Sequence, residues 1–342
     1  MVATTFQYYT ERLGYGLLVP RDNIKFRQVN ARVESIEEAV KAPPLVITTK
    51  TDYDFIGAKS GQRSGLVSIN GDMLKIKGCA MEPAFEVDGH YTVNHGTRYN
   101  DPEGGITRPD VMREVINTII LNKVLSRRRF QTVQEPAAII HYDKMFKSSQ
   151  MTHEEELLAV VMKVKGDTRF PEIYRRGVKS IDAAGMVTQR LGLMAGAQKR
   201  VTEDARILWS IDPDHGNAHI GNYIIFVDND YLHLGMCDLE SMANEFDELS
   251  PAEFSDACDR EQNRLLGSLM ASPVGFVDGI YRESEEEADR DLAKQDPFRP
   301  QFVTGFLAGY ENPDKREPIP LELLCEAFDF NTLSLPLGVD IK

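Results

Sequence analysis

The sequence has no Cys-x-x-Cys pair, no excess of basic charge, and no apolar run longer than about five residues against the roughly 20 that span a bilayer. Each absence excludes a class of protein. Cys79, Cys237, Cys258 and Cys325 are the only cysteines in 342 residues. They are too few for a disulfide scaffold and too scattered for a zinc knuckle, so they read as buried thiols of a reducing compartment. The first residues, Met1 to Gly16, contain no basic segment followed by an apolar stretch, so no signal peptide is expected. Lys and Arg total 39 against 53 Asp and Glu, a net charge of −14. Such a surface repels phosphate backbones and anionic lipid; no nucleic-acid or membrane partner is expected, and a cytoplasmic location is. What remains is ordinary for a globular protein: 42% hydrophobic and 27% charged residues. The length suits one large domain or two modest ones.

The first half reads as mostly strand with one strong helix. Val46 to Thr49 is β-prone. From Phe55 to Gly65 a glycine recurs at every fourth position, Gly57, Gly61 and Gly65, which reads as a glycine-rich loop. Leu66–Ile69 and Met73–Lys77 flank Asn70-Gly71, the strongest short hairpin signal available. Thr107-Arg-Pro-Asp110 looks like a helix start. Val111, Val115, Ile119 and Met112, Ile116, Ile120 then give a wide apolar stripe at helical spacing, running to Leu125. Glu135–Tyr142 and Leu157–Val164 read as strands, and Lys165-Gly166-Asp-Thr-Arg169 as a hinge. Beyond it come helical patterns around 179–195 and 201–210. A second hairpin follows, Tyr223–Val227 with Tyr231–Met236, and mainly helical sequence runs to about 295.

Three features stand in a telling order. A glycine-rich loop and hairpin end in Lys77. A helix carries Glu114 in its first turns. Later come His215-Gly216-Asn217, Asn222, a hairpin and Asp238. Triphosphate is highly charged, so a lysine and a metal must neutralise it, and a buried lysine needs a carboxylate partner. This order resembles the protein-kinase-like fold. Within it, Ile76-Lys77-Gly78-Cys-Ala-Met-Glu-Pro83, Met112-Arg113-Glu114, His215-Gly216, Asn222 and Asp238 most resemble the selenoprotein O branch, some members of which transfer AMP. The resemblance implies an α+β, two-lobed architecture, with an antiparallel-sheet N-lobe over 1–165 and a mainly helical C-lobe over 166–342. It implies ATP and Mg²⁺ as cofactors. Lys77, with Gly57, Gly61, Arg63 and Gly65, would bind the nucleotide, Glu114 would pair Lys77, and Asn222 and Asp238 would hold the metal.

The base position departs from that pattern. Ordinary kinases have Asp where this chain has Asn217, and Gly221 stands where the selenoprotein O pattern has Asp. Three explanations stand: a nucleotide-binding pseudokinase scaffold; His219 as the proton acceptor; or an already anionic acceptor, such as a carboxylate, that needs no base. The expected activity is ATP- and Mg²⁺-dependent phosphoryl transfer to a small molecule or peptide, with adenylyl transfer as a further outcome.

Each residue also has a plainer reading. Lys75 shares a strand face with Lys77. Glu114 suits a helix N-terminus electrostatically. The 57–65 segment lacks any established phosphate-loop pattern. Asn222 and Asp238 are also ordinary turn residues. His215 and His219 are spaced as in zinc hydrolases, with Asp212 and Asp214 nearby, but Pro213 and Gly216 oppose the helix that motif needs. The polar stretch 78–106, with Glu82, Asp88, His90, His95 and Arg98, is expected to cover the site. The sequence does not show the oligomeric state.

Overall fold

In a computed structural model of the chain, Asn70 and Gly71 adopt φ of 54° and 88°. This is the left-handed pair that a two-residue hairpin turn needs, and Ser64–Ile69 pairs with Asp72–Lys77 across it. The structure describes Leu18 and residues 23–36, 42–48, 50–60, 64–79, 106–146, 155–176, 178–208, 220–240, 242–243, 249–281, 298–313 and 318–328. They form an α+β protein whose chain divides into two compact units, residues 20–119 with 134–164 and residues 120–133 with 165–334.

The first unit is built on one antiparallel sheet. Its strands are β1 (Asn23–Gln28), β2 (Arg32–Ser35), β3 (Leu45–Thr48), β4 (Phe55–Lys59), β5 (Ser64–Ile69), β6 (Asp72–Lys77), β7 (Ile106–Thr107), β8 (Gln134–Phe146) and β9 (Glu155–Val164). The order across the sheet is β2-β8-β9-β6-β5-β4-β1-β3, with β7 beside β9. Leu74 and Ile76 of β6 join Phe26, Val67, Ile140, Tyr142 and Val161 in one apolar cluster. The opposite face of β6 is covered too, so Lys75 and Lys77 are 4% and 7% exposed.

The expected glycine-rich loop is corrected here. Gly57 lies within β4 and Gly65 within β5. A Cβ at either position would run into the Phe26 ring. These glycines make room for a core aromatic residue. Gly61 and Arg63 lie outside the described residues.

Helix α1 (Arg108–Arg127) starts as expected. The Thr107 hydroxyl donates to Asp110 Oδ2 at 2.7 Å, and the Asp110 amide donates back to Thr107 Oγ1 at 3.4 Å. The apolar stripe is a second correction. Val111 and Val115 are buried, whereas Met112, Ile116 and Ile119 are 40%, 44% and 48% exposed. Two apolar columns cover more of the circumference than the neighbouring structure does, and polar Glu114, Asn117 and Thr118 take inner positions.

The second unit has a four-stranded antiparallel sheet of β10 (Thr168–Arg169), β11 (Tyr223–Asp228), β12 (Tyr231–Met236) and β13 (Ile319–Pro320). Asn229 and Asp230, at φ 50° and 63°, turn the β11–β12 hairpin. Around it lie α2 (Ile181–Asp204), α3 (Pro251–Tyr281), α4 (Phe298–Tyr310) and α5 (Leu321–Ala327). The two helices expected over 179–195 and 201–210 are one, α2, ended by Arg206 at φ 54°. Gly192 and Gly196 of α2 lie directly under carbonyl oxygens of Phe306 and Tyr310, so α2 and α4 meet backbone to backbone. No helix among the described residues is long and apolar enough to cross a membrane.

Candidate functional site

In the sheet unit, Lys77 is the last residue of β6, a strand buried on both faces. Its ammonium donates to Glu114 Oε2 at 3.0 Å, and the two side chains are 9% and 2% exposed. Gln134, buried at the start of β8, donates through Nε2 to the other oxygen of Glu114 at 3.4 Å. Both carboxylate oxygens are therefore engaged. A buried ammonium without a partner costs several kcal/mol, so this pair is fixed in place by mutual need. The helical position of Glu114 is held in turn by Thr118, whose hydroxyl donates to the Glu114 carbonyl at 2.6 Å. Gln134 was not among the residues expected from sequence; a glutamine at a strand start carries no local signal.

In the helical unit, Asn222 ends a short 3-10 turn and Asp238 follows β12. Tyr223 pairs with Met236, so both residues sit at the same end of the hairpin. The Asn222 carbonyl accepts from the Cys237 amide at 3.0 Å and from its Sγ at 3.2 Å. Asp238 adopts φ 57°, a left-handed conformation that Asp tolerates better than most residues but that still costs energy.

Between them lies a residue that sequence reasoning read only as part of a hinge. Arg169, on β10, donates through Nη1 to Asn222 Oδ1 at 2.6 Å and to the Gly221 carbonyl at 2.7 Å. Its Nη2 donates to Asp238 Oδ2 at 3.1 Å. Its own amide donates to Glu172 Oε2 at 2.8 Å, which ties the start of the following 3-10 helix to it. Burial works against the guanidinium charge, but Asp238, Cys237 and Asp167 together outweigh it and raise the Arg169 pKa above its ordinary value. Arg169 lies 53 and 69 positions from its two partners, so nothing local announces the contact.

An amide oxygen and a carboxylate are the right donor types for Mg²⁺. Here one oxygen of each accepts from the Arg169 guanidinium. Asn217 and His219, with His215, Asp212 and Asp214, lie outside the described residues, as do Glu82, Asp88, His90, His95 and Arg98.

Comparison with known proteins finds no matching family model and no matching curated protein. Neither search links the chain to the selenoprotein O branch. Among solved structures, WaaP in complex with acyl carrier protein is similar over 73% of this chain and 88% of that one, at 10% identity and a TM-score of 0.30. A likeness that distant carries no argument about fold or activity.

Proposed function

We propose that the chain is an ATP-binding phosphotransferase of kinase-like organisation, acting on a small molecule or peptide. The observation that carries this reading is the buried Lys77–Glu114 pair at 3.0 Å. A strand lysine fixed by a helix glutamate is what a kinase-like site uses to meet nucleotide phosphates. Asn222 and Asp238, flanking a hairpin later in the chain, stand in the same order as that site's other polar pair. ATP is the expected cofactor, and Lys77 is the group expected to meet its phosphates.

Isothermal titration of ATP into the full chain and into Lys77→Ala tests the reading. Wild type should bind, and the variant should lose at least about tenfold in affinity, roughly 1.4 kcal/mol. Equal binding by the two proteins ends the proposal.

A second reading, a nucleotide-binding scaffold without transfer, is favoured by Arg169, which engages both Asn222 and Asp238. Incubation with γ- and α-labelled ATP and candidate acceptors, including carboxylates, separates the outcomes. Label transferred from the γ position supports the phosphotransferase. Label from the α position supports adenylyl transfer. No transfer by a protein that binds ATP leaves the scaffold.

A further inference from the structure

Asn222 and Asp238 are the residues that the nucleotide reading would assign to a divalent ion, and the inference here rests on that reading. Their side-chain oxygens already have a cation between them. One Arg169 nitrogen reaches Asn222 Oδ1 at 2.6 Å and the Gly221 carbonyl at 2.7 Å, and the other reaches Asp238 Oδ2 at 3.1 Å. The planar fork matches these acceptors in a way a point charge does not.

We propose that Arg169 is the resident cation of the Asn222–Asp238 pair, held there in place of a divalent ion. Four observations support this. Asn222 is 2% exposed, and its main-chain carbonyl is held by the Cys237 amide, which fixes its backbone beside the guanidinium. Arg169 is set from behind by β10, where it pairs with Ile224, and by Glu172 at its amide. The Asp238 charge is already balanced, and a divalent ion would face the guanidinium at close range, where like charges repel strongly. Asp167, buried beside Arg169 in sequence, adds negative charge near the guanidinium and helps keep it in place. Nucleotide phosphates at this site would meet a cation that belongs to the chain, as arginine meets phosphate in many transfer enzymes.

The test uses the full chain and Mn²⁺ as the probe, with free Mn²⁺ followed by electron paramagnetic resonance. Wild type and Asp238→Asn should bind Mn²⁺ alike. Arg169→Gln should take up an additional equivalent at least about tenfold more tightly than wild type, and Arg169→Gln/Asp238→Asn should lose it. Uptake by wild type that Asp238→Asn abolishes would overturn the proposal, because the pair would then be a working divalent site. Arg169→Gln gaining nothing would overturn it too, because Arg169 would not be what excludes the ion. Circular dichroism establishes that each variant folds. If Arg169→Gln does not fold, Arg169→Lys carries the same comparison, since one ammonium cannot span acceptors spaced for two guanidinium nitrogens. The nucleotide reading is scored separately by ATP binding of wild type and Lys77→Ala in EDTA. If neither binds ATP, that reading fails while the Mn²⁺ arms still judge the guanidinium.

Discussion

At the residue scale, a buried ion pair penalises single substitutions more than double ones. Glu114→Gln leaves the Lys77 ammonium buried beside a neutral amide, and breaking such a pair typically costs about 3–5 kcal/mol. A Lys77→Met/Glu114→Leu double variant removes both charges and should recover most of that loss. Urea denaturation of the single and double variants checks this. An additive result would mean the two side chains do not depend on each other. Cys79 gives a second residue-scale prediction. Burial pushes its thiol from an ordinary 9.0 up to about 12. Above pH 9.0 the unfolded chain releases this proton and the folded chain does not, so stability falls as pH rises between those values. Buried Tyr223, whose pKa is also raised, adds to the same trend. Thermal melts from pH 8 to 11 should show a falling Tm, and Ellman's reagent at pH 8 should leave Cys79 unmodified in the native protein. A flat profile would contradict the burial.

The Lys77–Glu114 contact was within reach of the sequence because each partner sits at a definable point of a strongly patterned element, a strand end and a helix start. Arg169 was not. Its partners belong to a hairpin more than 50 residues away, and a lone arginine before Phe-Pro has no pattern to betray it. Gln134 was hidden for the same reason.

At the element scale, patterning identified the hairpins around Asn70-Gly71 and Asn229-Asp230 and the start of α1, because turn chemistry and capping are local. It misread the glycines at 57 and 65. A glycine required by loop geometry and one required by a neighbouring ring look the same in sequence, and only the fold places Phe26 against both. The two origins make different predictions. Gly65→Ala should lose about 1–3 kcal/mol of stability by overpacking. Phe26→Leu should partly rescue it. A phosphate loop would instead lose ATP affinity at unchanged Tm, and paired melts and titrations tell the cases apart. The sequence also overestimated the inner face of α1, because apolar spacing reports what could be buried, not what the neighbouring structure has room to cover.

At the scale of the whole molecule, α2 and α3 are joined by another buried pair. Lys199 donates to Glu261 at 2.8 Å and also lies 3.1 Å from Glu203. Glu261 is 4% exposed, so Lys199→Met removes the ammonium beside a buried carboxylate and should lower the unfolding free energy by about 3–5 kcal/mol. Denaturant midpoints of Lys199→Met and Lys199→Met/Glu261→Leu check this, with the double variant expected nearer to wild type. The net charge of −14 bears on the whole surface. The chain should pass through heparin or DNA-cellulose unretained at 0.15 M salt, where screening is only about 8 Å.

A charge carried on a side chain differs from one borrowed from solution. It cannot be chelated, diluted, or exchanged for calcium or manganese, and its stoichiometry is fixed at synthesis. With Arg169 between Asn222 and Asp238, the electrostatics of that corner are set by the polypeptide itself and stay the same whether the surrounding medium is rich or poor in magnesium.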